Sequence, residues 1–218
     1  MQGRAGIAPE GWAVIWTAAG VLGTVAIVGT LAGHPASLVP LLLGVAFSLY
    51  FFRDPERQAP ADPRAVVSPA DGRVIDVSPV REDHFLHAST TKVSIFMSPL
   101  DVHVNRSPVD GRITALEHTA GKFRAAFHDK ASLDNERNAM VLEAGGRRFL
   151  VVQIAGALAR RIVCRRAVGD GLGRGERYGL IMFGSRVDVY LPAGVEPAVT
   201  KGDRVSAGSS VLARLPEV

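Results

Sequence analysis

Residues 179–190 read GLIMFGSRVDVY, and in this stretch an apolar run meets an alternating run at Gly184-Ser185. The alternation of polar and apolar residues over 186–191 predicts a strand with one buried face. Gly184 allows the backbone to turn tightly before that strand, and the strand then holds Ser185 rigidly. Most Gly-Ser pairs are simple turns, so this pair acquires a chemical meaning only from the rest of the chain.

The composition indicates a folded chain with an anionic partner. The chain has 218 residues, of which 47% are apolar, and this is enough for one substantial core. Its net charge of +4 suits nucleic acid, an acidic membrane surface or a phosphorylated substrate, without choosing among them. The single cysteine, Cys164, excludes an internal disulfide and a cysteine-based metal cluster. Its simplest interpretation is a small apolar filler in a reducing compartment.

Two uncharged apolar runs lie near the amino terminus, at residues 11–33 and 36–52. A helix needs about 20 apolar residues to cross the hydrocarbon core, so the first run is long enough and the second is marginal. Arg4 precedes the pair, and Arg53 and Arg57 follow it. Positive charge on both flanks predicts a hairpin in the cell membrane with the rest of the chain on the cytoplasmic side.

A signal peptide and a pair of interfacial helices are the other interpretations of the apolar pair. A signal peptide would have a shorter apolar region, and a second apolar run would not be expected after it. A pair of helices that enters the interface without crossing the bilayer stays open.

The remainder of the chain predicts a β domain. The segment RDPERQAPADPR at 53–64 cannot continue a membrane helix and predicts a linker. After it come short β-rich runs separated by Gly, Pro and Asp, with one short helical segment at 157–164. We therefore expect a mainly β (α+β) fold, with a hydrophobic helical hairpin in 1–57 and a barrel-sandwich-like β domain in 58–218. The candidate strands are 66–67, 73–80, 92–97, 111–116, 139–143, 148–154, 186–191 and 211–215.

Two turn sequences suggest the barrel-sandwich arrangement. Residues 68–72, SPADG, and residues 201–208, KGDRVSAG, resemble the paired turns of biotinyl and lipoyl carrier domains. Turn chemistry alone accounts for SPADG, because proline fixes φ and Asp-Gly favours a tight reversal. Asp71 within it could still orient a catalytic base.

One histidine has a setting that suits a general base. Residues 98–108, SPLDVHVNRSP, place His103 on a short extended segment between prolines. The ordinary pKa of histidine, about 6.5, suits proton transfer near neutral pH. A single histidine in such a place is more often a surface or structural residue, so its weight depends on its neighbours. The histidines at 84, 87, 118 and 128 have no comparable setting.

The positive charge is concentrated between residues 160 and 177, where six arginines oppose Asp170 and Glu176. Guanidinium groups match phosphate and carboxylate, so Arg160 and Arg161 are candidates to bind an anionic head group. A solvated basic face explains the segment equally well. Nucleic acid is not expected, because no aromatic residues interleave with these arginines to stack on bases.

Gly184-Ser185 could undergo backbone chemistry if a base removed the serine proton. The Ser185 hydroxyl would attack the preceding carbonyl and convert the amide to an ester. Elimination would then split the chain, and the new terminal residue would become a pyruvoyl group. Such a group can form an imine with a substrate amine and accept the electrons of a departing carboxylate, as pyridoxal cofactors do elsewhere.

With these motifs the chain resembles the short form of the phosphatidylserine decarboxylase family. The resemblance implies self-cleavage between Gly184 and Ser185 into residues 1–184 and 185–218, with a covalent pyruvoyl cofactor made from Ser185 and no metal. It also implies decarboxylation of phosphatidylserine to phosphatidylethanolamine through a Schiff base. The motifs that carry it are FFRDPER at 51–57, SPADG at 68–72, DVHVNR at 101–106, RRI at 160–162 and FGSR at 183–186.

The chain departs from the long form of that family at two places. It has FGSR at 183–186 where the long form has Leu-Gly-Ser-Thr, and Arg106 where the long form has a second histidine. A Ser-His-Asp relay built on that second histidine therefore cannot be transferred. We hypothesise that His103, assisted by Asp71, deprotonates Ser185 during maturation and later protonates the decarboxylated carbon.

The expected partners are phosphatidylserine, or another anionic membrane lipid, and the membrane itself. Arg160, Arg161 and Arg186 are candidates for contacts with the phosphate or carboxylate of the substrate. The two cleavage products should form a heterodimer, and further homo-oligomerisation is left open. Two alternatives remain: a non-enzymatic membrane-anchored carrier or adaptor module, and a pyruvoyl decarboxylase of a free amino acid. Against the carrier, no lysine has the hairpin-tip setting that a carrier requires.

Overall fold

A computed structural model describes residues 6–121, 135–156, 161–182 and 184–216. The chain forms two compact units, Met1–Glu56 and Arg57–Val218. The first unit is helical and the second is built from β-strands. The mainly β fold with an amino-terminal apolar helical segment, expected from the sequence, is confirmed.

The helical unit consists of α1 (Pro9–Leu31), a short 3-10 helix (Pro35–Ser37) and α2 (Leu38–Phe51). Gly33, at φ +83°, lies in the turn between the two helices, where a left-handed conformation favours glycine. Among the described residues α1 is the one helix long and apolar enough to cross a membrane. The apolar segment after it is shorter, as the sequence indicated.

Apolar side chains cover the outside of these helices. Leu31 is 84% exposed and Trp16 is 69% exposed, and several valines and leucines of both helices are also exposed. Contiguous apolar surface of this kind marks an interaction site, and on an apolar helix the natural partner is lipid. The helical unit therefore indicates membrane association.

The β unit contains fourteen strands within its described residues, and these strands pair in the antiparallel orientation. Ser185 begins the strand at the centre of the largest sheet. The strands are β1 (Ala65–Val67), β2 (Gly72–Glu82), β3 (Ala88–Met97), β4 (Val104–Arg106), β5 (Gly111–Thr119), β6 (Arg137–Ala144), β7 (Arg147–Ala155), β8 (Ile162–Cys164), β9 (Gly171–Leu172), β10 (Arg177–Ile181), β11 (Ser185–Leu191), β12 (Glu196–Pro197), β13 (Arg204–Val205) and β14 (Val211–Arg214).

Eight of these strands form one curled sheet in the order β13-β2-β3-β11-β7-β6-β5-β9. Two three-stranded sheets, β1-β14-β12 and β4-β10-β8, complete the half-barrel. Side chains alternate between the two faces of each strand, so Ile95, Val151 and Val187 lie in one apolar core. Their sequence neighbours lie on the opposite face of the sheet, where Leu150 and Val152 belong to a second buried apolar cluster. β11 lies between β3 and β7 and is buried along most of its length.

The two carrier-like turns meet in the structure. The backbone N–H of Ala207 donates to the Asp71 carboxylate at 2.8 Å, and that of Gly208 donates to the Ser68 carbonyl at 2.8 Å. Gly72 pairs with Val205 between β2 and β13. The pairing that the sequence suggested for residues 68–72 and 201–208 is therefore present.

The proline-rich segment before β1 is held against the β unit. The Arg174 guanidinium donates to the carbonyl oxygens of Pro60, Asp62 and Ala65. Arg57 forms an ion pair with Asp71 at 2.8 Å. These contacts give the segment a fixed path, because one side chain binds two of its carbonyls and also the carbonyl of Ala65, the first residue of β1.

The prediction of a short helix at residues 157–164 is wrong for residues 162–164, which form β8. Residues 157–160 lie outside the described residues. β8 contains Ile162 and Val163, whose branched side chains favour strands, and it pairs with β10. Burial raises the pKa of the Cys164 thiol above its ordinary value, although hydrogen bonds and Arg166 oppose the rise. A thiol with a raised pKa stays protonated near neutral pH, consistent with the filler role expected for Cys164.

Candidate active site

The Gly184-Ser185 pair lies where the chain enters the central strand. Gly184 has φ +60°, a left-handed conformation that other L-residues rarely adopt. Its two chain neighbours aside, a Cβ built on Gly184 would meet no atom of the described residues within 4 Å. Gly184 therefore has open space beside its Cα atom, and its backbone conformation favours glycine.

The Ser185 side chain, in contrast, is fully buried. The residue is paired with Met97 on β3 and with Ala155 on β7. Its hydroxyl donates a hydrogen bond to the Met97 sulfur at 3.3 Å. The Gly184–Ser185 bond, at which the sequence predicts cleavage, thus joins a glycine with open space beside it to a serine that is fixed by strands on both sides.

The His103 ring is fully buried, and a backbone carbonyl fixes its orientation. Its Nδ1 lies 2.9 Å from the Asp101 carbonyl oxygen. A carbonyl oxygen can only accept, so in the neutral ring Nδ1 carries the hydrogen and Nε2 carries the lone pair. The Asp101 carboxylate in turn accepts from the Ser98 backbone N–H at 2.8 Å, which closes the turn before the histidine.

β10 connects His103 to the cleavage pair. The His103 carbonyl accepts from the backbone N–H of Ile181 at 3.3 Å, and Val104 of β4 pairs with Leu180 of β10. Ile181 ends β10 four residues before Ser185. The His103 backbone is therefore bonded to the strand that precedes Gly184-Ser185, and its role as the base for Ser185 stays a prediction.

Asp71, on the first carrier-like turn, is bound by Ala207 of the second turn and by Arg57 of the proline-rich segment. One carboxylate oxygen accepts from the Ala207 backbone N–H and the other pairs with Arg57, each at 2.8 Å. The turn that carries Asp71 is joined to β4, because the Pro69 carbonyl accepts from the Arg106 backbone N–H at 3.0 Å. Asp71 thus belongs to the framework that positions the His103 segment, and its assistance to His103 stays a prediction.

The candidate arginines lie in different surroundings. Arg160 lies outside the described residues. Arg161 is exposed, and its carbonyl accepts from the Met182 N–H at 3.1 Å, which brings it close to the cleavage pair. Arg186 is 2% exposed and forms two hydrogen bonds with the Asp188 carboxylate, at 2.7 and 2.6 Å. Because neighbouring residues of a strand face opposite sides, Arg186 lies on the face away from the Ser185 side chain.

The rest of the basic segment is partly engaged within the protein. Arg166 pairs with Glu176, and Arg174 holds the proline-rich segment. Burial would raise the pKa of Glu176, but the Gly173 backbone hydrogen bond and Arg166 lower it overall. The excess of positive charge in the sequence is therefore larger than the charge available to an outside ligand.

The Arg186–Asp188 pair gives a prediction about stability. Asp188→Ala leaves a buried guanidinium without its ion partner, and we expect the free energy of unfolding to fall by about 3 kcal/mol. Asp188→Ala combined with Arg186→Met should lose less, because no unbalanced charge is left. Chemical denaturation of the uncleaved Ser185→Ala precursor in detergent would measure both.

The matched control for that prediction is Asp83→Ala. Asp83 pairs with Arg81 at 2.6 Å, and both side chains are exposed, so its removal should cost about 0–1 kcal/mol. Equal losses for the Asp83 and Asp188 variants would contradict the structural role of the buried pair.

Several buried polar residues near Ser185 were missed from the sequence. Asn105, Gln153 and Asn138 form a chain of side-chain hydrogen bonds that leads to Met97. One signal was visible, namely a glutamine inside the apolar run FLVVQIA at 149–155. No group of three or more histidine, cysteine or acidic side chains in the described ranges could hold a metal ion.

The chain is similar to a known protein family and to known proteins over most of its length. Residues 45–213 match the family model described as phosphatidylserine decarboxylase. A phosphatidylserine decarboxylase proenzyme of Cupriavidus pinatubonensis is 49% identical, over 97% of this chain and 96% of that protein. Proenzymes of the same name from Aromatoleum aromaticum and Syntrophotalea carbinolica are 48% and 46% identical, over 96% and 94% of this chain and 96% and 95% of their own lengths.

These matches identify the chain as a decarboxylase. It belongs to the phosphatidylserine decarboxylase family, and the resemblance inferred from the motifs is confirmed.

Proposed function

We propose that the chain is the precursor of a membrane-associated enzyme that converts phosphatidylserine to phosphatidylethanolamine and carbon dioxide. Its cofactor would be a pyruvoyl group made from Ser185. The observation that carries the proposal is the junction itself, in which a left-handed, open Gly184 precedes a fully buried Ser185 at the start of the central strand. Family membership supports the substrate.

The maturation requires no oxidant, reductant or metal. His103 would take the proton from Ser185 Oγ as that oxygen bonds to the Gly184 carbonyl carbon, and would return it to the amine that is freed when the Gly184–Ser185 C–N bond breaks. A base then removes the Ser185 Cα proton, the Cβ–Oγ bond breaks, and Oγ leaves as part of the Gly184 carboxylate. The resulting dehydroalanine gains water and loses ammonia, which leaves a keto carbonyl at position 185.

The strands support a product whose two chains stay together. Residues 185–218 contain β11, which pairs on both edges with strands of the first chain, β3 and β7. β13 and β14 of the same product pair with β2 and β1. Cleavage at the entrance of β11 leaves the pairings of residues 186–191 in place, so the new terminus would stay fixed at the core.

The residues around position 185 fit a pyruvoyl group. Loss of the Ser185 hydroxyl removes a polar atom from the buried core, and the space beside Gly184 gives the new Gly184 carboxylate a path outward. The group would supply an electrophilic carbonyl that takes the substrate amine and the electrons of its carboxylate. His103, with its lone pair on Nε2, would hold and return the proton.

Arg161 is the described arginine that best suits an anionic group of the substrate. It is exposed, and its backbone is bonded to Met182 beside the cleavage pair. The helical unit would keep the enzyme at the bilayer, with the β unit on the cytoplasmic side as the flanking arginines predict. A phospholipid could then bind to the enzyme without leaving its leaflet of the membrane.

Mass spectrometry of the purified protein tests this function. We expect two chains, with a keto-bearing residue 185 that reacts with a hydrazide, and carbon dioxide release from phosphatidylserine in mixed micelles. A single intact chain would favour the carrier or adaptor module. Two chains that act on free serine but not on the lipid would favour the amino-acid decarboxylase.

A further inference from the structure

We propose that Met97 is a positioning residue for maturation, because its thioether orients the Ser185 hydroxyl and a chain of buried amides holds the sulfur in place. This inference rests on the proposed function, since it concerns cleavage at Gly184-Ser185.

The Met97 sulfur lies directly across the sheet from the nucleophile. Met97 and Ser185 are paired residues of β3 and β11, and both side chains are fully buried. With the Oγ proton directed at the sulfur at 3.3 Å, the oxygen lone pairs stay available to the backbone carbonyl. A thioether is a weak acceptor, so it fixes the hydroxyl without binding the proton strongly.

Asn105 fixes the position of the sulfur. Its Nδ2 lies 3.8 Å from Met97 Sδ and 3.4 Å from the Pro69 carbonyl oxygen. The Pro69 oxygen can only accept, so the nitrogen side of this amide must face it. The oxygen side then accepts from Gln153 Nε2 at 2.8 Å.

The chain of amides continues to the edge of the core. Gln153 Oε1 accepts from Asn138 Nδ2 at 3.0 Å, so all three amides point their donors towards Met97. Asn105 and Gln153 are 0% exposed and Asn138 is 3% exposed. Buried amides are costly unless they are bonded, and a fully bonded chain is rigid. The network therefore holds the sulfur in one place opposite Ser185.

The contact exists only in the precursor, because Ser185 Oγ leaves with Gly184 when the chain is cut. Met97 should therefore act on the rate of cleavage far more than on turnover by the mature enzyme. A residue with a merely structural role would affect both in proportion to the loss of folded protein.

Met97→Leu removes the acceptor with little change of volume. We expect the half-time of precursor cleavage, followed after cell-free synthesis with detergent, to lengthen about 10-fold to 100-fold, because small misplacements of reacting groups are costly. Turnover per matured chain should fall far less. Met140→Leu is the matched control, since Met140 is equally buried in the same core and lies on β6, two strands away from β11.

A second variant tests the amides. The double variant Asn105→Leu with Gln153→Leu replaces both partners of one hydrogen bond, so neither amide is left without the other. Asn138 loses Gln153 as its acceptor, but it lines a surface cavity where water can take the place of that bond. We expect slower cleavage, and no further slowing when Met97→Leu is added, because the amides act through the sulfur.

The outcomes separate this inference from the proposed function. If the wild-type precursor yields no keto terminus at residue 185, the proposed function fails and this inference fails with it. If the wild type matures but Met97→Leu cleaves with the half-time of wild type and Met140→Leu, this inference alone is overturned.

Discussion

Ser185→Ala should give a single uncleaved chain without decarboxylase activity. The substitution removes the one atom that can attack the Gly184 carbonyl from within the strand, and with it the source of the pyruvoyl group. Ser185 is fully buried against Met97 and Ala155, so alanine fits the same space and the precursor should fold. Denaturing electrophoresis and intact-mass measurement would show one chain of 218 residues.

Ser94→Ala is a suitable control for this variant. Ser94 is 1% exposed and lies on the neighbouring strand β3, but it is paired with Asp188 and lies three residues before Met97. Its loss removes a buried hydroxyl of the same size and should leave cleavage intact. Decarboxylation by a pure, uncleaved Ser185→Ala chain would end the account of a pyruvoyl group made from this residue.

The strands that alternate or are strongly apolar could be predicted from the sequence. β2, β3, β7 and β11 each carry branched or alternating side chains, and their sheet register follows from the need to bury one face. The short strands β4 and β10 were missed, because β10 contains Arg177 and Gly179 and has no clear period. These two strands are the ones that tie His103 to the cleavage pair, so the missed elements carry part of the site.

The arginines show a second limit of prediction from the sequence. The arginines at 160–177 were visible in the sequence, but the acceptors of Arg174 are backbone carbonyls more than a hundred residues earlier. Arg186 differs, because its partner Asp188 lies two residues further along the same strand and therefore on the same face. Local charge can be read from a sequence, whereas a partner from a distant segment depends on which segments meet in the fold.

The hydrogen-bonded amides near Met97 also depend on residues that are distant in the sequence. Asn105 and Gln153 are 48 positions apart and meet only because β4 packs against the sheet that contains β7. Gln153 stood out in its apolar run, but nothing in the local sequence names its partner. Long-range pairs of this kind decide how a nucleophile is oriented, and they become visible only in the fold.

His103→Ala should slow precursor cleavage by about 10²-fold to 10⁴-fold, the usual contribution of a positioned general base. The ring is buried, and its bond to the Asp101 carbonyl leaves the lone pair on Nε2. Its segment is bonded to Ile181, four residues before Ser185. The rate is measured as the loss of intact precursor with time, and decarboxylation is measured separately on whatever matures.

Two comparisons decide whether the effect of His103 is chemical. His103→Gln retains a polar side chain that can donate to the Asp101 carbonyl but supplies no base, so it should cleave as slowly as His103→Ala. His118→Gln alters an exposed histidine bonded to Glu136 and should cleave at the wild-type rate. If His103→Gln matured and decarboxylated normally, the ring would serve packing alone, and the base for Ser185 would have to be sought elsewhere, with Asp71 and its turn the next residues to vary.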